Sequence, residues 1–123
     1  MKFDLETMKQ AVIDAIEDIK GFDISVMDVR KLTSITNYMI VTSATSSRQA
    51  KAIADNVREK IKEKGYDIRG TEGEKEGEWV LVDLDDIVVH IMVPATRAYY
   101  NLEQLWGATE TRSSHIKSES SNT

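Results

Sequence analysis

WVLVDLDDIVVHIMV, residues 79 to 93, is the stretch on which the fold turns. Two runs rich in β-branched residues, WVLVDL (79–84) and IVVHIMV (87–93), are separated only by Asp85 and Asp86. A gap that short leaves room for a tight hairpin and little else. Pro94 has no amide hydrogen to give a ladder and closes the second strand. Just beyond it Thr96 stands where it can cap a last short helix, with Tyr99, Leu102 and either Leu105 or Trp106 facing inward and Gly107 as the stop. After Gly107 the segment ATETRSSHIKSESSNT holds one large aliphatic residue, Ile116. So little apolar surface does not offset the entropy of ordering, and a flexible tail is expected.

Moving toward the N-terminus, TEGEKEGE (71–78) reads as a glycine-punctuated acidic loop, and Tyr66–Arg69 as a short strand before it. Ala50, Ile53, Ala54, Val57 and Ile61 recur at helical spacing and Gly65 follows them. Ser46, three residues before Gln49, makes a capping box at the start of that helix. YMIVTS (38–43) and the alternating Ile24, Val26 and Val29 predict two strands. Leu5, Met8, Ala11, Val12, Ala15, Ile16 and Ile19 give a first amphipathic helix, with Gly21 placed as its C-cap glycine. The order α-β-β-α-β-β-β-α predicts an α+β fold in αβα layers: a mixed five-stranded sheet with helices packed on it. Residues 1–107 form one domain and 108–123 the tail.

Composition removes several classes of function. The 123 residues contain no cysteine and two histidines, which excludes disulfides, thiolate metal sites and a thiol nucleophile. The segment MKFDLETMKQ carries Asp4 and Glu6 with no apolar run of the signal-peptide kind, and no stretch has the ~20 apolar residues of a membrane span. A cytoplasmic protein away from membranes is the expectation. A net charge of −5 disfavours direct binding to nucleic-acid backbones, and sequence-specific nucleic-acid binding is not expected. Between residues 66 and 93 eight acids face only Arg69 and Lys75. That concentration is either a solvated loop and strand face or a site for a basic protein.

Candidate chemistry is sparse. Asp83 and Asp85 would share a strand face if the strand ran that far, as carboxylates that hold magnesium in nucleotidyltransferases do. The helix entry ATSSRQ lacks the glycine-rich turn that would hold nucleotide phosphates, and Asp85 and Asp86 suit a hairpin turn equally well. His90 sits among apolar strand neighbours, a place for a hydrogen-bonded core histidine more than for a ligand, and capping accounts for Ser46. The aromatics say more. Tyr99 and Tyr100 are adjacent and cannot both face inward on a helix. We expect Tyr99 to be the core anchor, and Tyr100 to join Arg97 and Trp79 in an exposed patch suited to a protein partner.

The runs SITNYMIVTSATSSRQAKAIAD (34–55) and EGEKEGEWVLVDLDDIVVHIMVPATRAYYNLEQLWG (72–107) closely resemble the ribosomal silencing factor, or Iojap, family over about residues 5 to 107. The resemblance implies a translational repressor that binds the large ribosomal subunit through ribosomal protein L-fourteen and blocks joining of the small subunit by steric exclusion. It also implies a nucleotidyltransferase-like topology without an intact active site, no cofactor and no catalysis. Trp79, Asp83, His90, Arg97, Tyr100, Leu102, Glu103, Leu105 and Trp106 match the family's W-V-L-x-D, V-V-H and R-x-x-Y-x-L-E-x-L-W elements, and all but Leu102 are the expected partner-binding residues. Two departures stand out: Asn37 where the family commonly has Asp, and Asp85 where it has Gly. The second predicts strain if the hairpin needs a positive φ. A large-subunit assembly factor using the same contact, and a magnesium-dependent nucleotidyltransferase built on Asp83 and Asp85, are the alternatives.

Overall fold

The structure, a computed structural model, describes residues 4–106 and 110–112. Its first helix, α1 (Leu5–Asp18), starts where the Asp4 carboxylate accepts the Glu6 amide at 3.1 Å and the Thr7 hydroxyl at 2.7 Å. It buries Met8, Ala11, Val12, Ala15 and Ile16, the stripe that the spacing predicts. Its end differs from expectation by one residue. Lys20 takes the left-handed conformation (φ 68°), so that the Lys20 amide reaches the Glu17 carbonyl and the Gly21 amide the Ile16 carbonyl. Gly21 is required for space instead, because a Cβ there would collide with the Ile16 side chain.

Helix α2 (Ser47–Glu63) is capped by Ser46, whose hydroxyl accepts the Gln49 amide at 3.1 Å. The returning Gln49 side chain takes the Thr45 amide, not that of Ser46, and its Nε2 donates to the Ile19 carbonyl at 2.9 Å. One glutamine thus ties the start of α2 to the end of α1. Gly65, with φ 89°, terminates α2 as expected.

Among the described residues six strands follow the order β3-β4-β5-β2-β1-β6 across one sheet: β1 (Phe22–Asp28), β2 (Tyr38–Ser43), β3 (Gly70–Glu72), β4 (Trp79–Asp83), β5 (Ile87–Met92) and β6 (Glu110–Arg112). Only β2 and β5, the central pair, run parallel, so the sheet is mixed. The first five strands form the expected five-stranded sheet. The third sits later than the sequence reading placed it. Tyr66 and Ile68 pack on the core as a connection, and the ladder with β4 is made by Gly70, Thr71 and Glu72 from within the acidic stretch. Residues 110–112 of the expected tail add a sixth strand, Ser25 pairing with Thr111 across the β1 edge. The rest of that segment, and the expected stop at Gly107, lie outside the described residues.

Helices α1 and α2 cover one face of the sheet and share a core with Ile24, Val26, Ile40, Val82, Val89 and Ile91. A second, smaller cluster of Met27, Val29, Val41 and Met92 lies on the other face, with Met39, Trp79 and Leu102 packed on it. This thinner layer comes from α3 (Pro94–Tyr100) and α4 (Leu102–Trp106), which are split at Asn101 (φ 48°, ψ 60°). Val93 is the cap of α3 with Pro94 in its first turn, where its missing amide hydrogen costs nothing. Thr96 is therefore not the cap. Tyr99 is not the core anchor either: it is 81% exposed, and no residue of α3 is buried.

Candidate functional site

Strand alternation sends Ser25, Ser43, His90, Met92 and Trp79 to the face that α3 and α4 occupy. Ser25, Ser43, His90 and Met92 are buried there, whereas Met39, Leu81 and Val88 stay half-buried. The second layer therefore covers only part of its face.

Trp79 and His90 are joined directly, the indole Nε1–H donating to His90 Nδ1 at 2.9 Å. Because an indole nitrogen can only donate, His90 Nδ1 must be the acceptor, and the ring proton lies on Nε2. That Nε2 is buried and has no hydrogen-bond partner among the described residues. Burial pushes the His90 pKa down to about 4, which keeps the ring neutral. The Tyr100 ring also packs on Trp79, centroids 4.7 Å apart and tilted by 48°, and Tyr99 and Tyr100 meet in a T-shaped contact at 5.0 Å. Tyr100 remains 51% exposed. An aromatic ladder thus runs from the buried histidine to solvent.

Beside it lies a polar cluster. Arg97 donates from Nη1 to Ser43 Oγ at 2.8 Å and from Nη2 to Ser25 Oγ at 3.1 Å, and forms an ion pair with Glu103. Ser25 Oγ donates to Glu103 Oε2 at 2.8 Å, which closes the network. Burial raises the Glu103 pKa, but the Arg97 hydrogen bond and charge together with the Ser25 hydroxyl outweigh it, and the net shift is downward.

The residues that match the family elements therefore divide. Trp79, His90 and Tyr100 form the ladder, Arg97 and Glu103 the polar cluster, and Leu102 packs on the small core below. Asp83 belongs to neither: its Oδ1 accepts the Asp85 amide at 2.9 Å and shapes the hairpin turn. Asp85 leaves the strand at φ 75° and pairs with Arg69 at 2.9 Å. The shared strand face that a carboxylate pair at Asp83 and Asp85 requires is not formed. The side chains of Leu105 and Trp106 lie outside the described residues. Ser25 and Ser43 went unseen in the sequence, where a hydroxyl in a strand reads as neutral. Their positions on the face of His90 were the available signal.

Comparison with known proteins matches residues 2–123 to the family model described as ribosomal silencing factor during starvation. The chain belongs to the ribosomal silencing factor family. It is 52% identical to the ribosomal silencing factor RsfS of Chromobacterium violaceum over 104 residues, which cover 85% of each protein. With the RsfS of Bacillus subtilis it shares 38% identity, covering 76% of this chain and 79% of that one. A crystal structure of a Chromobacterium violaceum protein superposes with a TM-score of 0.85 at 47% identity, covering 93% of this chain and 95% of the other. The chloroplastic protein Iojap of Zea mays is 40% identical over 93 residues, and this chain spans 40% of its length. The match with the plant relative thus takes in only part of that longer protein.

Proposed function

We propose that this chain is a translational repressor that docks on the large ribosomal subunit, through ribosomal protein L-fourteen, and sterically blocks joining of the small subunit. It acts by occupying a surface and not by catalysis. Family membership supports the ribosomal setting, and the observation that carries the choice of surface is the Trp79–Tyr100 pair. Two large aromatics in contact, one half exposed, stand beside a partly covered apolar strip. Such rings supply much area for few frozen torsions, as interface hot spots do. No helix among the described residues is long and apolar enough to cross a membrane. A cytoplasmic site of action is part of this proposal and follows from the ribosomal setting.

The test is sedimentation with purified large subunits, small subunits and joined ribosomes. Association with the large subunit alone is expected, weakened by about 2 kcal/mol in Tyr100→Ala. Association only with joined ribosomes would sink the steric model. A second reading, assistance in large-subunit assembly, is favoured by a mouse relative named mitochondrial assembly of ribosomal large subunit protein 1. It is 29% identical, and the match covers 85% of this chain and 46% of that protein. Both readings use one docking contact. They separate on whether loss of the protein leaves large-subunit precursors unfinished.

A further inference from the structure

Helix α3 poses a physical problem. It has seven residues, no buried side chain and no side-chain cap. A helix that short is unstable alone, and this one draws little from the apolar core. Yet it carries Tyr99 and Tyr100, and it must be held still if Tyr100 is to meet Trp79.

What holds it is polar. From one guanidinium, Arg97 reaches Ser43 on β2, Ser25 on β1 and Glu103 on α4. Glu103 is bonded independently to Ser25. The Arg97 and Glu103 side chains are only 13% and 24% exposed, so little of either is open to another molecule. We infer that Arg97 and Glu103 are positioning residues: a closed latch that fastens α3 and α4 to the sheet and thereby sets Tyr100 against Trp79, without meeting the partner. This revises the role that family resemblance suggested for both. Arginine suits the task because its planar fork serves several acceptors in different directions, which a lysine ammonium on a flexible stem does not.

The consequence for binding rests on the proposed docking role of the Trp79–Tyr100 face, whereas the latch itself belongs to the free protein. If the face exists only while the latch is closed, apparent affinity scales with the latched fraction. A variant latched one-tenth of the time binds about tenfold more weakly.

Three variants test this: Arg97→Ala, Arg97→Lys and Glu103→Gln. In the free protein, two quantities are read: amide exchange in α3 against α1 and α2, and the ring-current shift of the Tyr100 ring protons next to Trp79. Large-subunit affinity is measured separately. Arg97→Ala should lose the Tyr100 shift and about tenfold or more of the α3 protection while α1 and α2 stay protected. Arg97→Lys and Glu103→Gln should fall between it and the parent. In each variant the loss of affinity should equal the loss of latched population. If Arg97→Ala unfolds the whole domain, the two milder variants, which keep the side-chain volume, decide the matter. Weakened binding with the Tyr100 shift and α3 exchange unchanged would make Arg97 a direct contact and overturn the latch. A latch that behaves as described in a protein that does not bind large subunits would instead remove the docking role and leave the latch standing.

Discussion

Tyr99 and Tyr100 are neighbours in the chain with separate surroundings. Tyr99 is exposed and meets Tyr100 in a T-shaped ring contact, so Tyr99→Ala should change stability by no more than about 0.5 kcal/mol, the ordinary range for an exposed site. Ile53, fully buried beneath the sheet, should cost about 2 to 5 kcal/mol on the same truncation. Denaturant midpoints of the two variants check the contrast, and a Tyr99 loss near the Ile53 value would mean that α3 packs more closely than described. His90 gives a second prediction at this scale. Its ordinary value of 6.5 is lowered by burial to about 4, so the unfolded chain takes up a proton before the folded one does. Stability present above pH 6.5 should therefore be lost as pH falls from about 6.5 to about 4, by roughly 3 kcal/mol if nothing else titrates. Glu103, shifted in the same direction, withdraws its own contribution only below the usual glutamate range. His90→Asn removes the imidazole step and should flatten the pH profile across that window. An unchanged profile would assign the loss to the carboxylates.

At the scale of elements, the β4–β5 hairpin turns on one strained residue. Asp85 at φ 75° lets the Asp86 amide reach the Leu84 carbonyl at 2.9 Å, a three-residue turn costly for any side chain with a Cβ. Asp85→Gly relieves that strain and gives up an ion pair with Arg69 that is more than half exposed on both sides, worth little. A gain of about 1 kcal/mol in chemical denaturation is expected, and a net loss would show the pair outweighing the strain. This turn was readable from the sequence because Asp85 stands between two strands too close for any other connection. Helices α1 and α2 and strands β4 and β5 were readable for a related reason: each buries an apolar stripe whose period is the period of its backbone. Where burial and pairing part company, the reading failed. Tyr66 and Ile68 are apolar but belong to a connection, whereas Gly70–Glu72 is a strand because the β4 edge lies beside it. In α3 the anchor is Arg97, and a helix held by a guanidinium leaves no apolar period to find. The family resemblance supplied the candidate site residues as a set, and their division into ladder, latch and turn came only from the geometry. The β6 pairing changes one further expectation. Truncation after Thr109 strips a partner from β1, and it should lower the melting temperature by a few degrees and promote self-association through the opened edge.

Across the whole molecule, the acidic excess is organised, not diffuse. Arg58 on α2 takes Glu74 at 2.7 Å and Thr71 at 3.0 Å, while Glu72, Glu76 and Glu78 remain exposed. Gly73 allows this packing, since a Cβ there would strike the Trp79 carbonyl. Exposed charges at the rim of an interface act mainly on association rate. Replacing Glu72, Glu76 and Glu78 with Gln should slow association with the large subunit at low salt and matter little at high salt. A rate insensitive to the change would place this loop outside the footprint. The parallel pairing of β2 with β5 has a different consequence, one for the order in which the molecule comes into being. Residues 38–43 wait for residues 87–92, and everything between them is made first. During synthesis from the N-terminus, α1, β1, β2 and α2 emerge as a half-molecule whose apolar sheet centre has an open flank. Contacts so distant along the chain form late and slowly. Arg97 and Glu103 emerge later still, after Ser25 and Ser43, so the aromatic face forms late, with only β6 of the described elements following it. A nascent chain halted anywhere before it is a folding intermediate without its aromatic face.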